Sequence, residues 1–159
     1  MRFIMKVASV FSMATLGFMA GCTWLSTMEY AEAKDCMAMN IYHEARGEGI
    51  DGQLAVAHVT LNRVQDDRWP DNVCDVVYQK NQFSWTHLIK DQTPRERKAW
   101  WIARAIAHDV MSGKSEDNTG GANFYHATYV DPAWNKKSDM IRTTKIGIHI
   151  FYDWRGNGW

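Results

Sequence analysis

Residues 40–63 read NIYHEARGEGIDGQLAVAHVTLNR and place two carboxylates, Glu44 and Glu48, beside His43 and Arg46 in a glycine-broken stretch. Several chemistries use such residues, and most can be set aside. HEARG begins like a zinc-protease helix, but Gly47 stands where the second histidine ligand belongs. The six histidines (43, 58, 87, 108, 126 and 149) never pair at ligand spacing on one element, so no metal is expected. There is no GxSxG and no glycine loop to cradle phosphates, so no cofactor is expected either. What remains is general acid catalysis by a carboxylate, with polar groups and many aromatics nearby. That set suits cleavage of a glycosidic bond, which needs an acid still protonated near neutral pH. A glutamate at the C-terminal end of a helix and partly buried among aromatics holds its proton, because the dipole and desolvation both disfavour its charge. Arg46 would oppose this if it came close, and it is expected to point elsewhere.

Glu44 owes that position to the element before it. From Asp35, a candidate cap, no Pro or Gly interrupts until Gly47, so a helix is expected to end near Ala45. A second helix follows over DGQLAVAHVTLNRVQ. Leu54, Ala57, Leu61 and Val64 form its stripe with Val56 and Val59 beside it, a face broad enough for the domain centre. A short helix is expected around residues 75–79, and NQFSWTHLIKDQ reads as loop. Thr93, Pro94 and Glu96 form a capping box that opens a third long helix. Its inner stripe is Ala99, Ile102, Ala103, Ile106 and Val110, and Gly113 ends it. Then the period changes: ANFYHATYV and TKIGIHIFYDW read as two strands, with Ile146, Ile148 and Ile150 on one side and His149 on the other. Helices followed by late strands imply an α+β domain, mainly helical, with a small C-terminal antiparallel sheet.

YHEARGEGIDGQLAVAHVTLNRV resembles the opening motif of the SleB-type cell wall hydrolases. The likeness continues through WPDNVCDVVYQKNQFSW, NFYHATYVDPAW and IGIHIFY, in order, across roughly residues 35–152. The resemblance implies a lysozyme-related fold acting on the glycan strands of peptidoglycan, typically as a lytic transglycosylase. It puts the catalytic glutamate at Glu44. Gln82, Phe83, Trp85, Tyr125, His126, Trp134 and His149 are then expected around it as a substrate groove. Glu48 is expected to be structural, pairing with Arg46 or Arg63 or capping the turn at residues 49–52. If it served as a second catalytic carboxylate, the enzyme would be a hydrolase using water. Asn62 and Arg63 are expected to be partners for buried polar groups. The alternatives to a transglycosylase are a hydrolytic muramidase or glucosaminidase, or a catalytically silent wall-binding lipoprotein. Exported relatives carry Cys-Asp-Gly after the QFS segment, whereas this chain reads WTHLIKD, so the loop beside the groove is expected to differ.

The 159 residues, 46% hydrophobic, suit one compact domain. Eighteen basic residues balance eighteen acidic ones without a basic block, which excludes a general polyanion-binding surface and hence a nucleic-acid partner. The eight tryptophans either fill the core or line a groove where indoles stack on sugar rings. Residues 1–22 differ from the rest: MRFIMK is basic, VASVFSMATLGFMA is apolar and uncharged, and Gly21-Cys22 follows. This pattern describes an export signal. It is read as a lipoprotein signal with Cys22 lipidated, a plain cleaved signal, or an uncleaved membrane anchor. Residues 23–34 read as a tether and residues 35–159 as the catalytic domain, placed in the periplasm or cell envelope. Export leaves Cys36 and Cys74 as an even pair in an oxidising compartment, where a disulfide is expected.

Overall fold

The computed structural model describes residues 16–156, with side chains from Ser26 onward. The chain divides into two compact units between Ala31 and Glu32. The export-signal reading of residues 1–22, including lipidation of Cys22, lies outside what the described side chains reach.

Helix α1 runs Leu16–Ala45. It therefore does not begin at Asp35, and the residues expected as an irregular tether are helical. Residues 22–45 contain neither Gly nor Pro, so nothing in the chain breaks the helix there. Its end is where the glycines predict, just after Glu44. Helix α2 follows at Ile50–Val64, then α3 at Val73–Tyr78 with Asn72 Oδ1 accepting from Asp75 N at its cap. A single turn, α4 (Trp85–Leu88), lies in the segment expected as loop. Helix α5 is Arg97–Met111. Strands β1 (Phe124–Ala127), β2 (Met140–Ile146) and β3 (His149–Trp154) form one antiparallel sheet in the order β1-β3-β2.

Helix α2 is the hub. Ala57 packs with Met37, Ile41, Phe83, Ala103 and Ile106 of the helical core, and Leu54, Leu61 and Val64 lie against that cluster. On its other side Ala55 and Val59 meet Ala122 and Phe151 of β3. An α-helix that is apolar on two faces must be covered on both, which places α2 between the helical layer and the sheet. Cys36 and Cys74 are joined, with Cα atoms 5.3 Å apart, and the bond ties α1 to α3.

Two expectations need correction. The capping box does not form: α5 starts after Glu96 with no side-chain cap. The Tyr42 hydroxyl accepts from Arg95 N and Glu96 N at 3.1 and 3.2 Å, and Thr93 N turns to Asp91 Oδ1. A tertiary acceptor from α1 has displaced the local one. The segment TKIGIHIFYDW is not one strand either. Gly147, at φ +56°, turns the chain between β2 and β3, a conformation that favours glycine. Ile148 therefore sits in the turn, 44% exposed, rather than in line with Ile146 and Ile150. The inner stripe of α5 is as expected at Ala103, Ile106 and Val110, joined by Ala107, and Gly113 (φ +71°) follows its end.

Candidate active site

The last turn of α1 delivers Glu44 to the foot of β1, where Tyr125 Oη donates to Glu44 Oε2 at 3.1 Å. The two face a cavity of about 430 Å³ whose walls include Arg63, Gln82, Phe83 and His149. A smaller hollow of about 230 Å³ shares Arg63, Gln82 and Tyr125 with it and adds Asn81 and Trp134. The two hollows share walls, as an elongated ligand requires.

Burial raises the Glu44 carboxyl above the usual range, while the Tyr125 hydroxyl and the Arg63 cation pull it back down. Burial, followed by the Glu44 charge, pushes the Tyr125 phenol well above 10.0, so it stays a hydrogen-bond donor. Burial lowers Arg63 to about 10, still a cation at neutral pH. Arg63 Nε donates to Asn123 O at 2.8 Å, and its guanidinium lies 5.3 and 5.6 Å from the Phe83 and Phe124 ring centres. Nη1 has no hydrogen-bond partner among the described residues. Arg46 points away, as expected: its Nε donates to Glu96 Oε1 at 2.9 Å and its guanidinium lies over the Tyr42 ring.

Of the residues expected around Glu44, Gln82, Phe83, Tyr125, His126 and His149 border the main cavity, and Trp134 borders the smaller one. His149 is 6% exposed, sits edge-on to Tyr125, and has an unpartnered Nδ1. Burial lowers its pKa, so the imidazole is neutral. His126 Nδ1 lies 2.9 Å from its neighbour's carbonyl, Ala127 O, and its Nε2 meets Tyr152 Oη and Asn135 Nδ2. The donor at Nδ1 and acceptor at Nε2 follow from those neighbours. Trp85 is not brought to the cavity. It is 3% exposed, stacks on His43, and donates Nε1 to Asn40 Oδ1 at 3.0 Å. Asn40 in turn donates to Thr60 Oγ1. Trp85 thus belongs to the bonding that locks α1 onto α2.

Glu48 reaches a part of the fold that its sequence neighbours do not indicate. Instead of pairing with an arginine, its Oε2 accepts from Ile148 N at 3.4 Å in the β2–β3 turn. A Cβ on Gly147 would run into that same oxygen. Asn62 fulfils its expectation, donating to Ala122 O and Asp117 Oδ2. Arg63, expected only as a structural partner, also walls both hollows. Its signal was a lone arginine in an apolar helix, next to the Leu61 stripe. Among the described residues no group of three or more His, Cys, Asp or Glu could hold a metal ion, and no helix is long and apolar enough to cross a membrane.

Residues 47–152 match the model of a family described as Cell Wall Hydrolase, a stretch that begins just after Glu44. The spore cortex-lytic enzyme of Oceanobacillus iheyensis is 46% identical over 119 residues, 72% of this chain and 39% of that protein. The spore cortex-lytic enzyme of Halalkalibacterium halodurans is 37% identical, again over 72% of this chain but 33% of its own length. The chain thus spans between a third and two-fifths of these curated relatives. Among solved structures, the catalytic domain of the Bacillus cereus SleB protein superposes with a TM-score of 0.61 at 31% identity, covering 76% of this chain and 89% of that one. The catalytic domain of the germination-specific lytic transglycosylase SleB from Bacillus anthracis gives the same TM-score and identity, with 93% of that chain covered.

Proposed function

The chain belongs to the cell wall hydrolase family, and from that premise we propose that it cleaves peptidoglycan glycan strands between N-acetylmuramic acid and N-acetylglucosamine as a lytic transglycosylase. The observation that carries the reading is Glu44, desolvated at the end of α1 and bonded to Tyr125 at 3.1 Å beside a cavity. Glu44 first gives its proton to the bridging oxygen as the bond from muramyl C1 breaks. The resulting carboxylate then takes the proton of the C6 hydroxyl while O6 closes onto C1. The new C1–O6 bond replaces the one broken, Glu44 regains its proton, and no water is consumed.

One side chain must serve as acid and then as base, so neither form can be too stable. Burial favours the acid; the Tyr125 hydroxyl and the Arg63 charge favour the carboxylate. Glu48 bonds the β2–β3 turn, and no carboxylate besides Glu44 lines the cavity among the described residues, which supports a route without an activated water. His149 and Gln82 line the cavity walls, which supports assigning them to N-acetyl and hydroxyl groups. The export-type leader fits a wall substrate, and membrane attachment through Cys22 belongs to the same proposal.

The test uses residues 23–159 and purified sacculi. Cleavage products should each be lighter by one water than hydrolysis products, and Glu44→Gln should cut the rate by about a thousandfold, within the range of general acid–base catalysis. Reducing ends in place of anhydro ends would make the enzyme a hydrolase. Equal inertness of wild type and Glu44→Gln, with both pelleting on sacculi, would make it a binding protein.

A further inference from the structure

The Glu44 cavity has one edge that this mechanism does not use. Along β1 its walls pass from the smaller hollow at Phe124, through Tyr125, which is common to both hollows, to His126 and Ala127 in the main cavity. Beyond Ala127 the lining continues with Tyr129, Val130 and Ile148. All three are large apolar side chains left in water, Tyr129 80% exposed. None belongs to a core cluster of the described residues, so the fold gains little from them. Apolar groups that adjoin on an exposed surface mark binding sites, and these adjoin the cavity of the catalytic glutamate. The backbone fixes them in advance. Thr128 N donates to Ile148 O at 2.7 Å, which ties the turn after β1 to the β2–β3 turn. Val130 N donates to Ala127 O at 2.9 Å in the first turn, and Ile148 N donates to Glu48 Oε2 in the second. A surface ordered before its ligand arrives loses less entropy on binding.

We propose that Tyr129, flanked by Val130 and Ile148, is an outer sugar subsite: it stacks on a ring of the glycan strand beyond the linkage cut at Glu44 and so favours long strands over short ones. The inference rests on the glycan-cleaving reading and names a specificity-determining residue within it. The chemistry of the edge selects an uncharged partner. Among the cavity's lining residues Arg63 is the one arginine or lysine, and its Nε is held by Asn123 O. Lys136, which follows this loop, is paired with Asp131. A stem-peptide carboxylate at Tyr129 would therefore meet an apolar edge. A sugar ring meets what it needs there, a flat phenol face for its C–H groups and open water for its hydroxyls.

The experiment uses the full chain and glycan strands stripped of stems by an amidase and sorted by length. Wild type should cut long strands better than tetrasaccharides. Tyr129→Ala should shrink that preference about tenfold in kcat/KM, chiefly through KM, the size expected for one lost stacked ring. Tyr129→Phe keeps the ring and should keep the preference. The side chain is exposed and outside the core, so the melting temperature should not move. Equal losses on both lengths, no loss on either, or a Phe variant as poor as the Ala one would overturn the proposal. So would a loss confined to strands that keep their stems, which would give this edge to the peptide. Calorimetry in the Glu44→Gln background judges the subsite independently of cutting. Stripped long strands should bind about tenfold more weakly once Tyr129→Ala is added; an unchanged affinity sinks the inference and leaves the glycan-cleaving reading standing. If wild type binds the strands through Tyr129 yet cuts none of them, that reading fails instead.

Discussion

At the scale of single residues, the balance around Glu44 makes measurable claims about pH. Arg63 and Tyr125 both lower the Glu44 pKa, so removing either lets the acid persist to higher pH. Arg63→Met and Tyr125→Phe should each move the alkaline limb of the kcat/KM profile upward, while kcat falls because the weaker acid gives its proton less readily to the bridging oxygen. Arg63→Lys should return the limb toward wild type; a purely structural Arg63 would lower activity without moving it. The same shift has a stability sign. The Glu44 pKa is above 4.5 in the folded chain, so the fold binds that proton more tightly than the unfolded chain does. Stability falls as pH rises from 4.5 through the raised value, and stays lower above it. Glu44→Gln should therefore melt at a higher temperature than wild type at pH 7, with the gap closing as pH falls through the raised value to 4.5. An unchanged gap across that window would show that Glu44 is not desolvated.

At the scale of elements, Trp85 and the disulfide decide how firmly the end of α1 is held. The Trp85 indole satisfies Asn40, which also bonds Thr60 of α2. Trp85→Phe leaves the buried Asn40 oxygen without its donor and should cost about 1–3 kcal/mol of stability with KM unchanged. A raised KM at unchanged stability would return Trp85 to the substrate groove. Cys36→Ser with Cys74→Ser opens a 38-residue separation and should lower stability by about 2–5 kcal/mol, read by chemical unfolding. Elements written by local periodicity were legible. The end of α1, all of α2 and the inner face of α5 came from apolar spacing and glycine stops. What failed was decided elsewhere in the fold. Thr93 lost its capping role to the Tyr42 hydroxyl from another helix, and Gly147 bent an apparently continuous alternation into a hairpin.

At the scale of the whole molecule, order along the chain says which segments exist but not which side chains converge. Glu44 was legible because a carboxylate at a helix end is a local feature. The Tyr125 bond to it spans 81 positions, and only the resemblance placed the two together. Arg63 was read by its helix and not by the cavities it reaches. Trp85 shows the opposite error, since an indole beside groove residues in sequence faces the core in space. The contact between Glu48 and the β2–β3 turn spans 100 positions, and no local pattern announces it. Gly147→Ala should test it: the left-handed φ and the collision with Glu48 together should lower the melting temperature and, by shifting His149, the activity.

The turn also constrains how this sequence can drift. At φ +56°, position 147 favours glycine whatever stands at position 48, because the Glu48 carboxylate is the far end of a flexible side chain and can swing clear of an added methyl group. Reconstructed lineages should therefore keep glycine at 147 while position 48 varies.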